Sequence, residues 1–364
     1  MLVVTLVLLV LVIVASLISI PYYAITPGDA VDVTPLVGVP RSQSHPHNGN
    51  GAILLTDVQI VSLRAVNWLY YWLNSDDEID RKANITGTLS TAQYDAQGVV
   101  DMSLAREAAT IVGLKALGYG VRAVPNGAVD YGPEPNAPAS SVLAIGDVIT
   151  KVDATPTPSL AALYDALSIP PPGKRVTLTY RTVASTALRT GSVVLGEDRR
   201  APAGAPYPVI CAPLGANAKL APYRVNGRLR GCLGIMVQQS YVTVGAPFAV
   251  NIQSEGIIGP SAGLAFSLGL IAKLDRKDLT GGLKVAATGT MSIDGSVGDV
   301  GGVAQKTVAV RDAGASIFFV PPQEYAVAKA HAGSHLKVVA VSSLAQALAE
   351  LEALGGRLEP AATH

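Results

Sequence analysis

An uninterrupted apolar run, Leu2–Ile20, limits the possible fold more strongly than any other feature of the sequence. It has 19 residues and contains no charge, no glycine and no proline. As a helix it would be about 29 Å long, close to the thickness of a bilayer's hydrocarbon core. Pro21 ends the run, and Tyr22 and Tyr23 follow where an interfacial aromatic belt would lie. The sequence therefore predicts a transmembrane anchor over residues 1–21.

Two other interpretations of this run stay open, a cleaved signal peptide and a buried core helix. A signal peptide usually has an apolar region of about 7–15 residues followed by a small-residue cleavage site. A core helix of this length rarely lacks charges. No Lys or Arg precedes the run, and the first is Arg41. Such a short N-terminus predicts a signal anchor, and hence a single-pass protein of the cell membrane with most of the chain outside the cytoplasm.

Composition excludes two classes of protein. The 364 residues include 27 Lys and Arg and 27 Asp and Glu, so the formal charge is zero. A chain without net basic charge is not expected to bind nucleic acid electrostatically. Hydrophobic residues make up 49% and charged residues 15%, which excludes a disordered chain. At about 150 residues per domain, the length predicts two domains and some additional residues.

Periodicity divides the rest of the chain into four parts, and the expected fold class is α+β. Residues 22–95 form an N-terminal β-containing segment, with a strand over Ala52–Leu63. Residues 96–195 combine a helix with several half-buried strands. Residues 196–208 are rich in Gly, Pro and charge and predict a linker. Residues 209–356 alternate strand and helix patterns.

The second of these parts resembles a bacterial PDZ domain. The resemblance lies in the turn Gly118–Val121, the approach Ala137–Leu143, the segments Gly146–Ile149 and Val152–Asp153, and Pro172–Gly173. PDZ domains capture an extended peptide as an added strand. The resemblance places Tyr119, Gly120 and Val121 near the loop that holds the end of the peptide. The alternative is a small β-domain that acts as a spacer.

The segment Glu255–Leu274 places Ser261 at the start of an apolar helix, after the turn Gly259–Pro260. The backbone donors and the positive dipole end at a helix N-terminus can stabilise an oxyanion. Serine is also a preferred N-cap residue, so this segment alone leaves a purely structural role open.

A second segment adds a lysine in an apolar setting. Val285–Ile293 predicts a strand, Asp294–Gly295 a hairpin turn, and Gly301–Gly302 the start of a helix that carries Lys306. Burial disfavours the charged form of a lysine and lowers its pKa. A neutral amine can serve as the general base for a serine nucleophile. The alternative for this lysine is an amine that reaches the surface.

Together these segments resemble the proteolytic domain of Lon proteases. The motif G-P-S-A-G at Gly259–Gly263 matches the surroundings of the family's catalytic serine, here Ser261. The motifs T-G-x-x-x-x-x-G from Thr288 and G-G-x-x-x-K up to Lys306 match the region of its catalytic lysine. The resemblance makes Thr288 the residue that hydrogen-bonds the lysine amine. One departure is Ile258, where ATP-dependent members often have an acidic residue.

The order of the parts resembles membrane-anchored Lon-like PDZ proteases of bacteria. That resemblance implies a serine endopeptidase with an extracytoplasmic catalytic domain, acting on unfolded or flexible protein segments, with the PDZ-like domain recognising substrate or gating access. It also implies a ring of identical subunits and no cofactor or metal. No phosphate loop G-x-x-x-x-G-K-[ST] occurs in the sequence, which predicts hydrolysis without ATP. The alternative function is a non-enzymatic PDZ adaptor on a protease-like fold.

Other candidate sites in the sequence have weaker support. His331 and His335 have the spacing of two metal ligands on one helix, but Gly333 interrupts them and no H-E-x-x-H motif is present. No histidine lies in a turn that suggests a Ser-His-Asp triad with Ser261. Cys211 and Cys232 are the two cysteines, and a disulfide and two free thiols are equally compatible with the sequence.

Overall fold

A computed structural model of the chain describes residues 2–45, 51–134, 136–201, 209–215, 219–254 and 256–359. It divides into two compact units, and each includes separate stretches of the chain. The first unit comprises residues 1–91, 108–121 and 245–364, and the second comprises residues 92–107 and 122–244.

The helices in the described part of the chain are numbered α1 to α9 in chain order. They are α1 Leu2–Leu17, α2 Trp68–Leu73, α3 Lys82–Thr86, α4 Thr91–Ala116, α5 Leu160–Ser168, α6 Gly263–Leu274, α7 Val303–Asp312, α8 Tyr325–His331 and α9 Leu344–Ala353. Short 3-10 helices lie at Thr34–Leu36, Arg41–Gln43, Pro138–Ser141, Pro260–Ala262 and Pro322–Glu324.

The strands of the first unit come from both ends of the chain, whereas those of the second unit come from its middle. In chain order all strands are β1 Ser19–Asp32, β2 Val37–Gly38, β3 Ala52–Arg64, β4 Glu78–Arg81, β5 Arg122–Pro133, β6 Asp147–Val152, β7 Thr155–Pro156, β8 Arg175–Thr182, β9 Arg189–Val194, β10 Gly196–Arg200, β11 Val209–Ala212, β12 Arg224–Val225, β13 Arg228–Leu229, β14 Gly231–Cys232, β15 Ile235–Val244, β16 Asn251–Ile252, β17 Lys284–Ala287, β18 Thr290–Met291, β19 Val297–Gly298, β20 Ile317–Val320 and β21 Lys337–Ala340.

Helix α1 is shorter than the apolar run predicted. It ends at Leu17, because the chain from Ser19 onward forms β1, and Ser19 pairs with Arg64 of β3. Sixteen residues make a helix of about 24 Å, less than the hydrocarbon core of about 30 Å. None of the helices in the described ranges combines the length and the apolar character that a bilayer span demands.

Two predictions are therefore wrong. The predicted fold class, α+β with an N-terminal transmembrane helix, fails in its membrane-spanning element, and the fold is mixed α/β. The predicted location, a single-pass protein of the cell membrane with an extracytoplasmic catalytic domain, fails for the same reason. The final residues of the apolar run belong to strand β1, which pairs with β3. This strand pairing competes with the continuation of the helix.

The first unit is built on a six-stranded sheet with the strand order β21-β20-β17-β3-β1-β4. The strands β21, β20, β17 and β3 run parallel, whereas β1 runs antiparallel to both β3 and β4. The N-terminal strands and the C-terminal α/β segment thus share one sheet. Apolar side chains of β3, β17 and β20 pack with α7 and α8, among them Leu54, Ala286, Phe318, Val310 and Ala328.

The second unit has an antiparallel sheet with the order β15-β5-β6-β8-β9, and β7 pairs with β6. Its core includes Ile149, Leu163 and Leu178, so helix α5 packs on this sheet. A smaller sheet has the order β11-β10-β14, and a disulfide joins Cys211 of β11 to Cys232 of β14. Strand β10 lies in the first part of the predicted linker, whereas residues 202–208 lie outside the described residues.

Candidate active site

Ser261 lies in the 3-10 helix Pro260–Ala262, which leads directly into α6. The Gly263 N–H donates to the Pro260 carbonyl and closes this turn. Eleven of the twelve residues of α6 are buried, so the helix is a rigid base for the serine. Ser261 itself is half-buried. The sequence prediction of a serine at the start of a buried helix is thus met, with one 3-10 turn placed before the helix.

Thr288 follows the end of β17, the central strand that pairs with β3 and β20. Its backbone N–H donates to the Phe319 carbonyl across 3.0 Å. The next residue, Gly289, connects this strand end to the serine turn through two backbone hydrogen bonds. Its N–H donates to the Ser261 carbonyl at 2.9 Å, and its carbonyl accepts from the Leu264 N–H at 3.1 Å. The end of β17 and the start of α6 are therefore held together by the main chain.

Close packing between α6 and the hairpin β18–β19 requires a glycine. A Cβ atom on Gly263 would lie 2.7 Å from the Cβ atom of Met291 and 2.8 Å from its backbone nitrogen. Any larger residue at position 263 would push the helix away from β18. The small residue of the G-P-S-A-G motif thus allows the serine turn to approach the strand that follows Thr288.

Lys306 lies in the first turn of α7, and its backbone N–H donates to the Gly302 carbonyl at 2.9 Å. Gly302 caps the helix with φ of 66°, a left-handed conformation that favours glycine. The lysine side chain points inward, and the residue is only 3% exposed. Burial removes the amine from water and lowers the pKa of Lys306 to about 8, although the carboxylates of Asp57 and Glu324 oppose this shift.

The three predicted site residues lie together, with Thr288 between the other two. The Lys306 amine donates to the Thr288 hydroxyl oxygen at 3.4 Å, and the Thr288 hydroxyl donates to the Ser261 carbonyl at 3.2 Å. Because the single hydroxyl proton goes to the carbonyl, the oxygen presents a lone pair to the amine. Within the described part of the chain, the Ser261 hydroxyl makes no hydrogen bond to Lys306.

Sequence reasoning missed two carboxylates near the lysine. Asp57 lies on β3, about 250 residues before Lys306, and Glu324 ends the 3-10 helix after β20. Both act electrostatically on the amine. The Pro-Pro pair before Glu324 marks a turn in the sequence, but nothing in the local pattern around Asp57 indicates that β3 lies beside β17.

The other candidate sites are also placed by the structure. The Nδ1 atom of His331 lies 2.9 Å from the Val327 carbonyl. Among the described residues, one group has metal-type ligand atoms close together, namely Asp198 with Cys211 and Cys232. The disulfide between the two cysteines removes both thiolates, so this group does not offer a thiolate site.

The strand beside the predicted peptide-binding loop is already paired. Strand β5 begins directly after Tyr119–Val121, and β15 runs antiparallel along one edge of it, from Ile235 opposite Pro133 to Val244 opposite Arg122. Strand β6 pairs with the other edge around Ala128. Strand β15 therefore pairs along one edge of β5 over its whole length.

Comparison with known proteins gives the class of the catalytic segment. Residues 254–351 match the family model of the Lon protease (S16) C-terminal proteolytic domain. This match confirms the resemblance to the proteolytic domain of Lon proteases over these residues. A search of curated proteins finds no match.

Solved structures similar to part of this chain include two PDZ domains. One is the PDZ domain of an SdrC-like protein from Listeria monocytogenes, with 18% identity over 31% of this chain and 87% of that one and a TM-score of 0.20. Another is the PDZ domain of an SdrC-like protein from Listeria innocua, with 18% identity over 31% of this chain and 96% of that one and a TM-score of 0.21.

Proposed function

We propose that this chain is an endopeptidase in which Ser261 is the nucleophile, Lys306 is the general base and Thr288 orients the lysine amine. The observation that carries the proposal is the hydrogen-bonded chain from the buried amine through the Thr288 hydroxyl to the main chain of the serine. An amine with a pKa of about 8 is in part neutral at physiological pH, as a base for a serine hydroxyl must be.

The chemistry follows the usual course of acyl transfer. The neutral Lys306 amine takes the proton from Ser261 Oγ as that oxygen attacks the scissile carbonyl carbon. Backbone N–H groups around Ser261 stabilise the oxyanion of the tetrahedral intermediate. The protonated amine then gives its proton to the leaving nitrogen, which leaves an ester on Ser261. Water attacks this ester with the lysine again acting as base, and the serine is restored.

One side-chain movement is needed before the first step. The lysine amine is hydrogen-bonded to the Thr288 hydroxyl. Before proton transfer, either the Ser261 hydroxyl must rotate toward the amine, or the amine must leave the threonine and turn toward the serine. Since Ser261 is half-buried, bound substrate can set its rotamer.

We expect hydrolysis without ATP, because the sequence contains no phosphate loop. Without an unfolding motor, the substrates are unfolded or flexible protein segments. A ring of identical subunits remains an expectation from the resemblance to Lon proteases. Measuring the molar mass of the purified full chain by light scattering tests it.

The full chain should cleave an unstructured protein such as casein without ATP, and Ser261→Ala and Lys306→Ala should each abolish cleavage. Ser267→Ala is the matched control. Ser267 lies in α6, the helix that follows Ser261; it is fully buried and its hydroxyl donates to the Gly263 carbonyl, so it has no access to substrate. A fluorophosphonate probe should label wild type and Ser267→Ala but not Ser261→Ala. Full activity in Lys306→Ala would exclude the lysine as base.

The alternative function, a non-enzymatic adaptor, makes the opposite prediction. Such a protein would bind unfolded protein without turnover, and Ser261 would resist the probe. The occupied edge of β5 counts against an adaptor that captures peptides at this edge, because β15 would first have to leave it.

For the second unit we infer gating rather than capture at β5. A cysteine pair in place of Val124 and Val242, which lie opposite each other, would lock β15 onto β5. If displacement of β15 admits substrate, the oxidised variant loses casein hydrolysis and recovers it with a reductant. Wild type treated with the same reductant controls for the disulfide between Cys211 and Cys232. Equal activity of the locked and reduced forms would refute the gate.

A further inference from the structure

Glu324 has an unusual environment for a carboxylate. It ends the 3-10 helix Pro322–Glu324, and its Oε1 atom accepts a hydrogen bond of 3.1 Å from the Val300 N–H. Its Oε2 atom is buried and has no hydrogen-bond partner in the described part of the chain. A buried, unpaired carboxylate oxygen is costly unless a positive charge lies nearby. Lys306 is such a charge, and its pKa responds to Glu324.

The Val300 contact also ties Glu324 to the helix that carries the lysine. Val300 is followed by Gly301 and Gly302, and Gly302 caps α7 with a left-handed backbone. The same glycine accepts the backbone N–H of Lys306. A carboxylate that holds Val300 therefore holds the turn from which the lysine projects.

Asp57 acts on the same amine but has a different structural role. It exerts the larger electrostatic effect on Lys306. Its Oδ1 atom, however, accepts a hydrogen bond of 2.8 Å from the Asp29 N–H. This bond stabilises the backbone of β1 rather than the start of α7. Other charged groups on the elements packed against α7 are Asp29 and Asp32 of β1, Arg64 of β3, Lys329 and His331 of α8, and Arg311 and Asp312 of α7 itself.

Most of these other groups have their own partners or face solvent. Asp29 and Lys329 are exposed. Asp32 accepts the Thr34 N–H, and Arg311 pairs with Asp312 at 2.9 Å. Glu324 thus stands out by combining an electrostatic effect on the amine with a hydrogen bond to the turn before α7.

We propose that Glu324 is a positioning residue for Lys306, whose carboxylate holds the start of α7 and whose charge sets the pH above which the amine acts as a base. This proposal rests on the proposed peptidase function. The negative charge favours the protonated amine, so it sets a higher pH for the onset of activity than burial alone would. At lower pH the lysine stays protonated and cannot act as the general base.

Three substitutions at this position separate charge from geometry. Glu324→Gln keeps an oxygen for the Val300 N–H but removes the charge. Glu324→Ala removes both, and Glu324→Asp keeps the charge on a shorter side chain. Glu352→Gln, on the exposed side of α9, is the matched control for the loss of one carboxylate.

The pH dependence of casein hydrolysis by the full chain is the first measurement. We expect the pH at which the rate of casein hydrolysis reaches half of its plateau to fall by about one pH unit in Glu324→Gln and Glu324→Ala. It should stay within a few tenths of a unit of wild type in Glu324→Asp and Glu352→Gln. Glu324→Ala should also lose about tenfold in plateau rate, because its turn is no longer held. A merely structural role for Glu324 would lower the plateau without moving the midpoint.

The second measurement does not need activity. Lysine labelled with ¹³C at Cε reports the protonation of Lys306 directly by NMR, with the Lys306→Met spectrum identifying its resonance. The Lys306 midpoint should fall in Glu324→Gln as the kinetic midpoint does. An unchanged NMR midpoint in both neutral variants would overturn the proposal. A shifted NMR midpoint in a chain that never hydrolyses casein would support the effect of Glu324 on the amine and refute the peptidase function.

Discussion

The Lys306 amine donates a hydrogen bond of 3.4 Å to the Thr288 hydroxyl, and both residues are buried, at 3% and 0% exposure. The threonine hydroxyl is therefore the resting partner of the amine. The same hydroxyl donates to the Ser261 carbonyl, so it connects the amine to the main chain of the serine turn. A buried amine without such a partner would destabilise the fold by the full free energy of its desolvation.

Replacing Thr288 with valine should lower the rate of casein hydrolysis about tenfold to a hundredfold. The side chain keeps nearly the same shape but no longer offers the amine an acceptor, so Lys306 samples unproductive positions. Thr288→Ser should restore most of the rate. Thr307→Val is the control, because its buried hydroxyl bonds to the Val303 carbonyl within α7. An equal loss of rate in both valine variants would show that the effect comes from packing.

The rate of hydrolysis by wild type should rise with pH, with a midpoint of about 8. Burial lowers the pKa of Lys306 to about 8, and only the neutral amine accepts a proton from the serine. The measurement is the initial rate between pH 6 and pH 10 with a stability check at each pH. A rate that is flat or falls between pH 7 and pH 9 would contradict a lysine base.

Replacing Lys306 with methionine should abolish activity and stabilise the first unit. The folded-state pKa of about 8 lies below the ordinary value of 10.5. The unfolded chain therefore binds more protons in this window, so stability rises as the pH increases from about 8 to 10.5 and is lowest below it. At pH 7 the buried amine costs about 3 kcal/mol that methionine avoids. Thermal unfolding tests this, with the exposed Lys329→Met as control.

Alanine at Gly302 should destabilise the first unit and slow hydrolysis. The φ of 66° is unfavourable for alanine, and its Cβ atom would lie 2.8 Å from the Cγ1 atom of Val58. We expect a loss of about 2 kcal/mol in the free energy of unfolding. The neighbouring Gly301→Ala should be nearly neutral, because no atom lies within 4 Å of the point that its Cβ atom would occupy and its φ is ordinary. The double variant with Val58→Ala should recover the part of the loss that comes from the clash.

The sequence motifs predicted the local elements that carry Ser261, Thr288 and Lys306, but not the carboxylates that lie near the lysine. The turn at Ser261, the strand that leads to Thr288 and the helix of Lys306 each depend on local chemistry: Gly-Pro at a helix start, a hairpin turn, and a glycine cap. Their spacing made a shared site predictable. Asp57 and Glu324 were not predictable, because their places depend on which strands pair across the sheet.

Long-range pairing also explains the two errors about the N-terminus. Strand β3 pairs in parallel with β17, with Ile53 opposite Val285 and Leu55 opposite Ala287. Nothing local in either segment specifies that register. The same sheet recruits Ser19 and Ile20 into β1, which shortens the helix that the apolar run predicted. Periodicity detects apolar residues, but it does not show whether they will form a helix or pair with a strand that is distant in the sequence.

The mixed origin of that sheet has a consequence for how the chain folds during synthesis. β3 leaves the ribosome more than 200 residues before β17, its parallel neighbour. During translation, β3 can pair with β1 but has no β17 beside it, while the second unit, whose strands are close in sequence, is synthesised in between. The lysine helix emerges later still. A nascent chain therefore cannot bring Lys306 beside Thr288 until α7 has been synthesised.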